Sequence, residues 1–133
     1  MRYCADTWFI LALFQKEAHS RLIFEDARQG KSRIMVPIVV FAEATKKLLQ
    51  KGVPKSVVDQ FWGGVEASEK VQLVPADKSI AQEAALVSLA HGVPMIDSFV
   101  AATAKLTGCD LLLSGDTDYS ILAKKKYVKV QSW

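Results

Sequence analysis

The sequence has 133 residues, of which 50% are hydrophobic and 23% are charged, with only 7 glycines and 4 prolines. This length and composition predict one globular domain spanning residues 1–133 and exclude a disordered or collagen-like chain. The net charge of +3 permits a polyanionic partner without requiring one. No apolar run approaches the ~20 residues needed to span a bilayer, so we expect a soluble, cytoplasmic protein with no membrane partner.

Short β-type runs alternate with longer helical patterns along the chain. The predicted strands are 2–5, 34–36, 71–74, 111–113 and 128–130. The predicted helices are one from Pro37 to Gly52, one beginning at Pro54, one opened by a Ser79–Gln82 capping box and closed at Gly92, and one over 99–107 that Asp97 or Ser98 begins. This alternation predicts an α/β fold of three layers, in which a mostly parallel sheet of about five strands has helices on both faces.

Four acidic residues occur where a parallel sheet would gather them. Asp6 follows the first strand and Asp116 follows the fourth, so both reach the carboxyl edge of the sheet, where α/β folds bind ligands. Each acid alone has an ordinary explanation: the three aspartates, with Asp97 the third, can cap helices, and Glu43 can pair with a lysine one turn away. Together they supply the hard oxygen ligands that Mg²⁺ or Mn²⁺ prefers.

The sequence around these acids resembles that of the PIN-domain ribonucleases, and most closely that of their toxin branch, the VapC family of VapBC toxin–antitoxin systems. The resemblance covers essentially the whole chain. It rests on the segments Tyr3-Cys4-Ala5-Asp6-Thr7, Glu43, Asp97-Ser98-Phe99-Val100-Ala101-Ala102-Thr103-Ala104 and Ser114-Gly115-Asp116-Thr117-Asp118-Tyr119. It therefore implies a PIN-like three-layer fold and a nuclease activity.

The resemblance also implies roles for individual residues. It gives a catalytic quartet of Asp6, Glu43, Asp97 and Asp116. It gives metal ligands Asp6, Asp97, Asp116 and Asp118, supported by Thr7 and Ser114. Two positions depart from the family pattern, because Trp8 replaces a small or polar residue and Tyr119 stands where phenylalanine is frequent. Either departure would alter substrate fit without removing the metal chemistry.

The favoured mechanism is hydrolysis of a phosphodiester by water that bound Mg²⁺ or Mn²⁺ activates, because neither His19 nor His91 falls in these segments. The family resemblance implies that the substrate is single-stranded RNA, cut to leave a 3′-hydroxyl and a 5′-phosphate. Arg33, Lys46 and Lys47 are candidates for holding RNA phosphates beside the cleft, although a solvated surface explains each of them better. No series of aromatic residues that would form a base-stacking platform is visible.

The partners depend on which branch of the family the chain resembles. A toxin would form a homodimer and bind a cognate antitoxin protein whose carboxy-terminal segment blocks the cleft. An RNA-processing PIN nuclease without an antitoxin fits the same residues. A phospho-acceptor receiver domain fits less well, because it needs an acidic pair after the first strand and Asp6 has no acidic neighbour. A catalytically silent PIN fold would lack an acid, whereas this quartet is complete.

Overall fold

Five parallel strands form the centre of the protein in the computed structural model, which describes residues 1–133. The strands are β1 (Arg2–Ala5), β2 (Arg33–Pro37), β3 (Val71–Val74), β4 (Leu111–Leu113) and β5 (Val130–Gln131). They are ordered β3-β2-β1-β4-β5. The predicted α/β class and parallel sheet are thereby confirmed. The last strand begins at Val130 rather than at residue 128, because only Val130 and Gln131 are in register with residues of β4, namely Leu112 and Leu113.

Seven α-helices and one 3₁₀ turn connect the strands and cover both faces of the sheet. They are α1 (Thr7–Phe14), α2 (Ala18–Arg28), α3 (Ile38–Gln50), α4 (Lys55–Ala67), α5 (Lys78–His91), α6 (Met95–Leu106), the 3₁₀ turn Thr117–Tyr119, and α7 (Ser120–Lys124). No single helix has the length and hydropathy to cross a bilayer, and the one pair that passes such a test jointly, α5 with α6, is bent by 119°.

The predicted start of α5 is wrong by two residues, and the predicted capping group is wrong as well. The helix begins at Lys78, and the carboxylate of Asp77 accepts a hydrogen bond of 2.9 Å from the backbone N–H of Ile80. Asp77 therefore caps the helix in place of Ser79, since an aspartate at this position satisfies a first-turn N–H that has no partner within the helix. Gly92 ends α5 as predicted, in a left-handed backbone conformation with φ of 68°.

The predicted start of α6 is wrong by a larger margin, and the difference determines what Asp97 can do. The helix begins at Met95, directly after Pro94, whose fixed φ suits a helix entry. Asp97 thus lies inside the first turn and does not precede the helix. Its carboxylate is therefore not the N-cap that the sequence pattern indicated.

A contiguous core of 23 buried residues fixes the helices against the sheet. On helix α6, the small residues Ala101 and Ala104 are almost fully buried in this core, whereas Ala102 packs against Ile80 and Ala84 of α5. The chain builds β2 and β3 on one side of β1 and then returns to build β4 and β5 on the other side. This reversal opens a crevice at the carboxyl ends of β1 and β4, where α/β sheets hold their ligands.

Candidate active site

Asp6 lies at the centre of this crevice, immediately after β1, and is only 3% exposed. Its two carboxylate oxygens accept hydrogen bonds from the hydroxyls of Ser114, at 2.7 Å, and Tyr119, at 3.1 Å. Although Asp6 precedes α1, its side chain makes no capping hydrogen bond. Burial raises the pKa of Asp6, and the hydrogen bond from Ser114 opposes that rise. The carboxylate is therefore held in one orientation by the chain's own hydroxyls.

The loop after β4 brings further carboxylates to the same crevice. The Ser114 hydroxyl also accepts a hydrogen bond of 3.0 Å from the backbone N–H of Asp116, so this hydroxyl connects the first and fourth strands. Asp116 in turn accepts a bond of 2.9 Å from the N–H of Asp118, which makes Asp116 the cap of the 3₁₀ turn. The carboxylates of Asp116 and Asp118 are exposed. The capping explanation for Asp116 is thus confirmed, and it leaves the second carboxylate oxygen free.

Asp97 faces these two acids from the first turn of α6 and is 9% exposed. One oxygen atom from each of Asp97, Asp116 and Asp118 lies within 4.8 Å of the others. Burial, a hydrogen bond shared with Asp118 and the negative charge of Asp6 raise the pKa of Asp97 to about 7. The cluster is therefore a concentration of negative charge that favours either a proton or a cation.

Tyr119 is a site residue to which the sequence assigned no role beyond a departure from phenylalanine. Its ring is fully buried, and its hydroxyl lies 3.1 Å from Asp6 Oδ1 and 3.2 Å from Asp97 Oδ1. Burial and the two nearby carboxylates raise the pKa of Tyr119 far above its usual range, so the phenol remains a donor. The Tyr119 hydroxyl, which a phenylalanine would lack, therefore links Asp6 to Asp97.

Thr7 and Glu43 differ in how they relate to the cluster. Thr7 is 3% exposed, and its hydroxyl oxygen is buried without a hydrogen-bond partner among the protein atoms. Glu43 lies on α3, outside the group of three carboxylates, and its carboxylate is 3.9 Å from the Lys47 ammonium. Lys47 is thus the partner that the ion-pair explanation for Glu43 requires. The catalytic role of Glu43 stays a prediction.

The three basic residues predicted to hold RNA lie in different places. Lys46 and Lys47 are exposed on α3, three and four residues after Glu43. Arg33 begins β2, at the amino edge of the sheet and therefore at the opposite end from the acids. There it lines a small basic pocket with Lys31 and Lys70. A phosphate held by Arg33 would lie far from the acidic cluster.

The donor set fits a hard divalent cation. Mg²⁺ is typically held by one or two carboxylates together with waters and substrate phosphates, and Mn²⁺ also prefers oxygen ligands. Asp97, Asp116 and Asp118 supply three oxygens within 4.8 Å of one another. Asp6 is linked to Asp97 by the Tyr119 hydroxyl, which lies 3.1 Å from Asp6 and 3.2 Å from Asp97. The hydroxyl of Thr7, the residue after Asp6, is buried and has no hydrogen-bond partner among the protein atoms.

Comparisons with known proteins agree with the fold. A sequence comparison with curated proteins gives no significant match. Among solved structures, VapBC2 from Rickettsia felis bound to a promoter DNA fragment has a TM-score of 0.75 at 13% identity, over 100% of this chain and 99% of that chain. A toxin–antitoxin complex from Klebsiella pneumoniae has a TM-score of 0.70 at 13% identity, over 89% and 90%.

The structure of Mycobacterium tuberculosis VapC20, described as a sarcin–ricin-loop-cleaving toxin, has a TM-score of 0.70 at 16% identity, over 89% of this chain and 92% of that chain. At such low identities these similarities establish the fold. The family model for the PIN domain matches residues 3–125, which include all the acids of the crevice. The sequence match and the shared fold together lead to one conclusion: the chain belongs to the PIN-domain family.

Proposed function

We propose that the protein is a metal-dependent endoribonuclease that hydrolyses single-stranded RNA, and that it is the toxin of a type II toxin–antitoxin pair. The observation that carries this proposal is the convergence of Asp6, Asp97, Asp116 and Asp118 in one crevice. PIN-domain membership and a structurally similar toxin described as cleaving the sarcin–ricin loop support a nuclease acting on RNA.

Asp97, Asp116 and Asp118, together with Asp6, would hold Mg²⁺ or Mn²⁺. When bound, such a cation lowers the pKa of water and neutralises the charge that develops on the phosphate. Ser114 and Tyr119 keep the Asp6 carboxylate fixed by two hydrogen bonds, so it needs no reorganisation when RNA enters. Glu43, from the neighbouring helix, is proposed to bind the cation or to orient the attacking water.

The reaction is hydrolysis, because the crevice offers no side-chain nucleophile. Ser114 is 1% exposed and donates its proton to Asp6, so its oxygen cannot reach a phosphate. Cys4 is completely buried beneath the site. In the cleavage that PIN-domain membership implies, a water oxygen bonds to phosphorus as the bond from phosphorus to the 3′ oxygen breaks. The attacking water loses one proton and the departing 3′ oxygen takes one up, so the products are a 3′-hydroxyl and a 5′-phosphate.

The proposed partners follow from the surface and from the comparisons. Several of the similar solved structures are toxin–antitoxin complexes, and this supports a cognate antitoxin for this chain. Large apolar side chains are exposed on α5 and at the start of α6, including Leu89 at 84% and Leu86 at 54%. Leu86 and Leu89 lie one turn apart on α5, and neighbouring exposed apolar residues are typical of a protein interface. We propose that this surface contributes to a homodimer.

The substrate experiment compares the wild type with two matched variants, Asp97→Asn in the crevice and Asp59→Asn on α4. Each replaces one carboxylate with an amide, but Asp59 is exposed and pairs only with Lys55. We expect the wild type and Asp59→Asn to cut single-stranded RNA and hairpin loops in Mn²⁺ or Mg²⁺ and to spare long duplexes, since unpaired strands can bend into a crevice. Cleavage by Asp97→Asn at the wild-type rate, or cleavage of duplex RNA in preference, would contradict the proposal.

The toxin assignment needs a separate experiment. Expression of the wild type alone should arrest bacterial growth, and co-expression of a small protein encoded next to it should restore growth and form a stable complex. A chain that cuts RNA and neither arrests growth nor binds such a neighbour would be an RNA-processing nuclease without an antitoxin.

A further inference from the structure

Three aromatic side chains from distant positions form a row beside the acidic crevice. The rings of Trp8 and Trp133 have centroids 5.2 Å apart at an interplanar angle of 68°. The ring of His19 follows, with its centroid 5.7 Å from that of Trp133 and an angle of 35°. Trp8 and Trp133 are half-buried, and the His19 side chain is 68% exposed. The row therefore runs from the edge of the core out into solvent.

Trp8 places the inner end of this row against the acid-bearing loop. A Cβ atom built on Gly115 would lie 2.5 Å from Trp8 Nε1 and 2.6 Å from Trp8 Cε2, so the indole packs directly on the Gly115 backbone. Gly115 stands between Ser114, which orients Asp6, and Asp116. The aromatic surface thus begins one residue away from the carboxylates.

The outer rings are held in place by Glu17. The Glu17 carboxylate accepts hydrogen bonds from the indole N–H of Trp133 and from the backbone N–H groups of His19, at 2.9 Å, and Ser20, at 2.7 Å. Burial acts to raise the pKa of Glu17, but these bonds outweigh it and lower the pKa to about 2. Glu17 therefore stays ionised, and the Trp133 ring is fixed before any ligand arrives.

We propose that Trp8, Trp133 and His19 form a stacking site for unpaired nucleobases that flank the scissile phosphate. This inference rests on the proposed ribonuclease function and adds a binding site to it. Aromatic rings bind any base through its π face, and in duplex RNA those faces are already covered by neighbouring bases. A strand whose phosphate lies at the acids would place its adjacent bases along the row. The row would thus select unpaired RNA with little regard to sequence.

The test measures binding separately from cleavage. The full chain carrying Asp97→Asn is titrated in Mg²⁺ with a labelled single-stranded oligoribonucleotide and with a series in which each base in turn is replaced by an abasic site. The abasic series keeps every phosphate and removes one stacking partner at a time. We expect one or two adjacent abasic positions to weaken binding roughly tenfold, the typical loss for one base stacked on an aromatic ring.

Variants of the row identify which rings are responsible. Trp8→Leu keeps an apolar side chain but should abolish the difference in affinity between the intact and abasic oligonucleotides. Trp8→Phe keeps an aromatic ring and should retain that difference. His19→Ala should weaken binding of the intact strand, and His91→Ala, at the far end of α5, serves as its matched control. Because His19 is largely exposed, this second variant tests the row even if Trp8→Leu fails to fold.

Two outcomes would overturn the stacking site. One is an oligonucleotide whose binding is unaffected by any abasic position. The other is an abasic effect of the same size in the Trp8→Leu and His19→Ala variants as in the parent chain. A protein that binds RNA with the expected base dependence but cuts no RNA in Mn²⁺ would retain the stacking site and lose the proposed nuclease function. Metal-dependent cleavage by a protein whose RNA binding is unaffected by abasic positions would retain the proposed nuclease function and exclude the stacking site.

Discussion

Replacing Asp97 with asparagine should stabilise the metal-free protein while removing its activity. Asp97 is 9% exposed and faces Asp116 and Asp118 within 4.8 Å. Asparagine keeps the volume and an oxygen that can accept the Tyr119 hydrogen bond, but it carries no charge. The substitution therefore removes electrostatic repulsion from the folded state and leaves the unfolded chain almost unaffected.

The magnitude follows from the pKa of Asp97, which burial and the neighbouring acids raise from 3.8 to about 7. At roughly 1.4 kcal/mol per pKa unit, this rise corresponds to about 4 kcal/mol of destabilisation once the group is ionised. Solvent reaches the rim of the crevice and screens part of this interaction, so we expect about 2 kcal/mol. For a domain of this size, such a gain raises the Tm by about 8 °C.

The pH dependence gives the sign of the effect. Between pH 4 and 7 the folded wild type holds a proton on Asp97 that the unfolded chain has released, so wild-type stability should fall as pH rises through this window. The free energy of unfolding of Asp97→Asn should depend much less on pH over this range. The assay is urea unfolding in EDTA at several pH values, with Asp59→Asn as the control. A variant less stable than the wild type at pH 8, or one that retains the full slope, would refute the reasoning.

Four further outcomes are expected. Mg²⁺ or Mn²⁺ at ~100 times its dissociation constant should stabilise the wild type by roughly 2.7 kcal/mol, and a melting curve identical to that in EDTA would exclude the site. Tyr119→Phe removes the hydroxyl between Asp6 and Asp97. Calorimetry should therefore show weaker metal binding, and urea unfolding should show that the protein loses about 1–3 kcal/mol of stability. Gly115→Ala should displace the Trp8 indole, seen as a change in tryptophan fluorescence, with reduced RNA binding. Glu43→Gln should change the free energy of unfolding by only ~0.3 kcal/mol yet abolish cleavage; unaltered cleavage would leave Glu43 with its ion pair alone.

The fold was predictable because its strands are short apolar runs separated by helices with clear end signals. Strands such as Val71–Val74 and Leu111–Leu113 were predicted at their observed limits. Errors arose where two residues compete for one local role. Both Asp77 and Ser79 can cap a helix, and only the backbone geometry shows that Asp77 does so. Pro94 starts α6 earlier than the pattern suggested and thereby moves Asp97 from the cap into the first turn.

Sequence reasoning named the aspartates of the crevice and the supporting Ser114, but it missed the contacts of Tyr119. Strand ends and helix starts bring carboxylates to one edge, and this follows from the order of elements along the chain. The hydrogen bonds of Tyr119 depend on where the buried ring points, which sequence spacing does not determine. The stacking row was invisible because its rings come from positions 8, 19 and 133, which only the sheet topology brings together.

The most direct test of the central claim is the chemistry of the cut RNA ends. Purified protein in Mn²⁺ should leave 3′-hydroxyl and 5′-phosphate ends on a single-stranded RNA, because water attacks the phosphate and no 2′-hydroxyl takes part. The same reaction in EDTA, or with Asp6→Asn, should yield no product. Ends carrying a 2′,3′-cyclic phosphate, or cleavage that persists in EDTA, would contradict hydrolysis by this acidic crevice.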